Sequence, residues 1–73
     1  MQRFGEKLRF LRKQHQMTLQ EVATALNITS DGFISNLEAG RKKPSLEVVI
    51  KLARLFQVSL DNLLLDELEL NEK

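Results

Sequence analysis

From Phe4 to Leu64 the apolar residues of this 73-residue chain return every third or fourth position, and no stretch reads as a half-buried strand. That period restricts the chain to helices that each bury one face, and its interruptions mark where one helix ends and the next begins. Phe4, Leu8 and Leu11 share one side of a first helix over roughly residues 4–14. Thr18-Leu19-Gln20-Glu21 reads as a capping box, in which the hydroxyl accepts an early backbone N–H and the Glu reaches back. It opens a second helix with Val22, Ala23 and Leu26 inward, and Asn27 is placed to close it in the left-handed conformation. A third begins at Ser30 or Asp31, either a good N-cap, and carries Phe33, Ile34 and Leu37 on its inner side. Gly40 is its expected stop. Pro44 ends the following loop, and Ser45 caps a fourth helix from Leu46 to Phe56, expected to bury Leu46, Val49, Leu52, Ala53 and Phe56. Val58 and the cap Ser59 lead to a fifth, with Leu60, Leu63 and Leu64 inward. The expected fold class is all-α: five short helices in one domain over residues 1–65, followed by an acidic tail over 66–73.

Several function classes are set aside by what the chain lacks. There is no Cys and one His, so disulfides, thiolate metal sites and a structural zinc are not expected. No apolar run approaches the ~20 residues of a membrane span, and the polar start Met-Gln-Arg-Phe-Gly-Glu-Lys lacks a signal-peptide apolar region. A cytoplasmic protein without membrane attachment is the expectation. No paired carboxylates, nucleophile–base set or glycine-rich phosphate loop suggests an enzyme, and no cofactor is expected. His15 reads as a helix-ending residue rather than a ligand.

The formal net charge of +1 conceals a strong pattern. Arg3, Lys7, Arg9, Arg12 and Lys13 face only Glu6 in residues 1–15, whereas residues 16–40 carry Glu21, Asp31 and Glu38 with no cation. Arg41, Lys42, Lys43, Lys51 and Arg54 then oppose Glu47. The end is acidic through Asp61, Asp66, Glu67, Glu69 and Glu72. Two basic blocks on a nearly neutral chain leave room for a nucleic-acid partner.

The stretch "ITSDGFISNLEAGRKKPS" concentrates this signal. Opposite its apolar side the third helix shows Asp31, Gly32, Ser35, Asn36 and Ala39, and Arg41-Lys42-Lys43 follows directly. Together with "LRFLRKQHQMTLQEVATALNI" before it and "FISNLEAGRKKPSLEVVIKLARLFQVSLDNLL" through its end, the chain resembles the Cro and repressor-type helix-turn-helix domains of phages and bacteria, from about Phe4 to Leu64. The resemblance implies a five-helix, lambda-repressor-like DNA-binding domain. It implies a transcription regulator, a repressor, that binds double-stranded DNA as a homodimer on a near-palindromic operator. The third helix would lie in the major groove, with half-sites about 34 Å apart.

Small polar side chains on such a helix can approach base edges, each base pair showing its own donor–acceptor pattern. Asn36 is the leading candidate for base readout, since an amide pairs bidentately with adenine. Ser30 and Ser35 can contact bases or phosphate, Asp31 can accept from the cytosine amino group, and Gly32 permits close backbone approach. Arg41, Lys42 and Lys43 are candidates for phosphate contact, joined by Thr29 and, from helix one, by Arg9, Lys7 and Lys13. The family also pairs an Arg late in helix one with the Glu ending the recognition helix, which implies a largely buried ion pair between Arg12 and Glu38.

Two features depart from the family. Leu19 stands where many members have Gln, and "LNITSDGFIS" is one residue longer than the common turn. With Asp31 and Gly32, Leu19 favours a rival in which the scaffold is a protein-interaction module, antitoxin-like or adaptor, with a protein partner. Leu65, Leu68 and Leu70 exceed what five helices need; they read as a dimer contact, to which Val58 to Leu60 would add, as a partner-docking surface, or as a fraying amphipathic end.

Overall fold

The computed structural model describes residues 3–65. Five helices follow one another: α1 (Phe4–Gln14), α2 (Leu19–Ala25), α3 (Asp31–Glu38), α4 (Leu46–Phe56) and α5 (Leu60–Leu64). α3 packs on both α1 and α2, while α5 packs on α4 and α1. The expected tail over 66–73, including Leu68 and Leu70, lies outside the described residues.

The starts of α2, α4 and α5 are written in the local sequence. Thr18 Oγ1 accepts from the Glu21 N–H at 3.0 Å while Glu21 Oε1 accepts from the Thr18 N–H at 2.8 Å, a complete capping box. Ser45 and Ser59 accept from the N–H groups of Val48 and Asn62. Ser30 occupies the N-cap position of α3, yet its side chain makes no capping hydrogen bond.

The ends of α1 to α4 share one device. Gln16, Asn27, Gly40 and Gln57 all take left-handed φ values, 57°, 61°, 77° and 57°. In each case the next residue's N–H reaches back five positions: Met17 to Arg12, Ile28 to Ala23, Arg41 to Asn36 and Val58 to Ala53, at 2.8–3.0 Å. This is the Schellman closure, which usually carries an apolar contact at the residue after the left-handed one. Met17, Ile28 and Val58 obey that habit and pack against the core. Arg41 does not; it is exposed.

The core is Phe4, Leu8, Leu11, Val22, Ala23, Leu26, Ile34, Leu37, Val49, Leu52, Ala53, Phe56 and Leu63. Each fully buried Leu or Ile contributes on the order of 1.5–3 kcal/mol. Two inward assignments need correction. Leu46 is 66% exposed and Leu60 37% exposed, whereas Leu64, half-buried, packs against the core. Leu46 and Leu60 are each the first residue of a helix. Helical side chains lean toward the N-terminus, so a first residue leans past the helix end and is buried only where another part of the chain covers it, as happens for Phe4 of α1 but not for these two. Phe33 is likewise only half-buried, packed against the edge of the core. His15, at the end of α1, is exposed and sets its ring 5.0 Å from that of Phe56.

One buried cation departs from expectation more sharply. Lys7 is 2% exposed, its ammonium donating to the carbonyls of Asn62 and, at 2.7 Å, of Leu65. It closes the C-terminus of α5, where the carbonyls gather negative charge. Lys7 is therefore a brace between α1 and α5, not a residue available to phosphate.

Candidate functional site

The inner side of α3 is fastened to the body at three points. Ile34 and Leu37 are buried. Gly5 of α1 lies against the last turn, so close that an added Cβ would sit 2.6 Å from the Leu37 carbonyl oxygen and closer still to that of Glu38. The Arg12 guanidinium grips the Glu38 carboxylate with both prongs, Nε to Oε2 at 2.6 Å and Nη2 to Oε1 at 3.1 Å, and donates to the Met17 carbonyl at 3.1 Å. Both side chains are mostly buried, at 14% and 9% exposure. The hydrogen bond to Glu38 raises the Arg12 pKa above its ordinary value, opposed by burial.

The outer side is left to solvent. Thr29, Ser30, Asp31 and Gly32 are exposed, Ser35 and Asn36 half-buried, and Ala39 exposed. Gly32 is informative because nothing in the chain demands it. A Cβ there would meet only the Ser30 hydroxyl oxygen, at 3.3 Å, and that hydroxyl caps nothing. Glycine within a helix is disfavoured by about 1 kcal/mol relative to alanine. Gly40 is the opposite case. Open space surrounds it, and its φ of +77° is what calls for glycine.

The cations after α3 turn back onto it. Arg41 donates through its backbone N–H to the Asn36 carbonyl at 3.0 Å and through Nε to Asn36 Oδ1 at 2.9 Å. Lys42 holds its ammonium 5.3 Å from the centre of the Phe33 ring. Lys43 is exposed beside them, on a groove shared with Phe4, Gly5, Lys42 and Pro44. From α1, Arg9 and Lys13 border a neighbouring groove that reaches Glu38, Ala39 and Gly40. Five cations thus surround the exit of α3, while Lys7 is held elsewhere.

At the start of α2, Leu19 is half-buried against the core, and Gln20 bonds Thr24 within its own helix at 3.2 Å. Among the described residues no three His, Cys, Asp or Glu side chains gather as a metal site, and no helix is long and apolar enough to cross a membrane.

Comparisons with known proteins agree with this geometry. The family described as helix-turn-helix matches residues 8–63. The chain is 39% identical over 61 residues to the uncharacterised HTH-type transcriptional regulator YobD of Bacillus subtilis, covering 84% of this chain and 54% of that one. It is 32% identical over 71 residues to the cryptic phage CTXphi transcriptional repressor RstR of Vibrio cholerae, covering 96% and 63%. The N-terminal DNA-binding domain of SinR from Bacillus subtilis shares the fold with a TM-score of 0.82 at 23% identity, over 94% of this chain and 100% of that domain. The chain spans about half the length of the first of these relatives.

Proposed function

The chain belongs to the helix-turn-helix family, and from that membership we propose that it is a DNA-binding transcription regulator that inserts α3 into the major groove. The observation that carries this is the outer side of α3. It is small and polar, it includes a glycine that the fold does not need, and cations tied to α3 itself stand at its exit. A duplex supplies a reason for all three: a groove wide enough for a helix, base edges with donors and acceptors, and phosphates on both sides.

In this reading Ser30, Asp31, Gly32, Ser35 and Asn36 face the bases. Lys42, Lys43, Thr29 and Arg9 meet phosphates, with Lys13 beside Arg9 and Arg41 at the boundary. The Arg12–Glu38 pair holds the angle of α3 against α1. The protein acts as a repressor, the role that the name of RstR carries, and it does so as a homodimer on a near-palindromic operator. The exposed Leu60 and the half-buried Val58 and Ile50, which border one shallow depression, supply an apolar patch for the partner copy. Leu65, at the end of α5, is also exposed, at 42%.

Titration against mixed-sequence duplex DNA at several salt concentrations tests the proposal. Affinity should fall linearly in a log–log plot, with a slope near −0.9 per phosphate neutralised. Undetectable binding at every salt concentration would favour the protein-interaction module instead.

A further inference from the structure

The closure that ends α3 delivers Arg41 onto Asn36, and at the other three helix ends the equivalent residue is apolar and faces the core. Here the contact is polar and outside. A guanidinium carries donors only, so the Asn36 atom facing Arg41 Nε is its carbonyl oxygen, and the orientation of the amide is settled. The Nδ2 amino group is then the part of Asn36 that Arg41 leaves to donate elsewhere. The bond that Arg41 makes to Asn36 runs through Nε, and it ties a guanidinium, with its further N–H donors, to the same amide. The composite edge is rich in donors and positively charged.

Guanine offers two acceptors to the major groove, N7 and O6, whereas adenine offers one acceptor and one amino donor. An adenine amino group would have to share that oxygen with a guanidinium, taking its second lone pair while a cation that only donates stands against the amino donor. We propose that Asn36 and Arg41 act as one donor pair that selects guanine in each half-site, in place of the adenine that a free amide would read. Arg41 is on this view a specificity-determining residue, not a phosphate clamp. The inference rests on the DNA-binding reading above and adds a base preference to it.

Selection from a random duplex library with wild type, Asn36→Ala, Arg41→Ala and Arg41→Lys tests it. Wild type should enrich guanine at one position of each half-site, and Asn36→Ala should lose that preference. Arg41→Ala should lose it at the same position and turn toward adenine, with about 5- to 150-fold weaker binding to the guanine duplex. Arg41→Lys should keep the salt dependence of the wild type yet lose guanine, because a flexible ammonium does not hold the amide. Helical circular dichroism should be unchanged in all three, since the altered groups lie outside the core. An Arg41→Ala variant that binds every sequence more weakly by the same factor, with base preferences intact, would overturn the inference. So would a wild type that enriches adenine at the position depending on Asn36. Absence of any enrichment, together with undetectable binding in the salt titration, overturns the regulator proposal as well.

Discussion

Arg12 holds Glu38 by two parallel hydrogen bonds, 2.6 and 3.1 Å long, across 26 residues of sequence. The fork joins the last turn of α1 to the last residue of α3, and Arg12 also ties down the Met17 carbonyl that begins the next turn. Removing either partner strands a mostly buried charge. Glu38→Ala or Arg12→Ala should therefore cost about 3–5 kcal/mol, which for a domain of this size is a fall in Tm of more than about 10 °C. Thermal melting checks this, and an unchanged Tm for Glu38→Ala would remove the lock. The raised guanidinium pKa means that deprotonation of Arg12 weakens the pair only as pH climbs through that raised value, so the pair persists at neutral and moderately alkaline pH.

Two lysines near the N-terminal and central basic blocks should behave in opposite ways. Lys7→Met leaves the Asn62 and Leu65 carbonyls without their donor and should destabilise the fold by about 1–3 kcal/mol, with the salt slope for DNA binding unaltered. Lys43→Ala should leave the denaturation midpoint where it is and reduce that slope by about 1. Chemical denaturation and DNA titration on the same pair of variants give both readouts.

Two glycines form a second contrast. Gly5→Ala drives a methyl group into the backbone of the last turn of α3 and should cost about 1–3 kcal/mol. Gly32→Ala needs only a rotation of the free Ser30 hydroxyl and should raise stability by about 0.5–1 kcal/mol. DNA affinity should nevertheless fall for Gly32→Ala, because the methyl group stands where the duplex comes closest. A variant that is both more stable and undiminished in binding would remove Gly32 from the interface.

Leu60→Lys should abolish self-association in sedimentation experiments while preserving the melting temperature of the monomer, since Leu60 projects beyond the first turn of α5. Operator binding should then weaken steeply, as two half-sites need two copies. A wild type that remains monomeric at every concentration would exclude this patch as a dimer contact.

The helices and their boundaries were legible because capping is local. The Thr18–Glu21 box and the serines at 45 and 59 act within three residues of themselves. Burial was less so. Leu46 and Leu60 match the apolar period, as the buried Phe4 does, but periodicity does not register whether anything covers a first residue that leans past the helix end. Lys7 was illegible for a different reason, since its partners lie 55 and 58 positions away and a basic side chain in a basic block gives no local sign of burial. The Arg41–Asn36 bond lies between. Gly40 announces a left-handed stop, and that geometry alone brings the residue after it over the one five positions earlier.

The unequal use of the four helix ends bears on how such a protein could change its target. At Met17, Ile28 and Val58 the chain reversal is welded to the interior, and substitution there disturbs the whole body. At α3 the same reversal leaves its terminal residue in water. A lineage, or an engineer, could exchange the residues at 31, 32, 35, 36 and 41 as a set and acquire a different operator, while the remaining helices continued to fold as before.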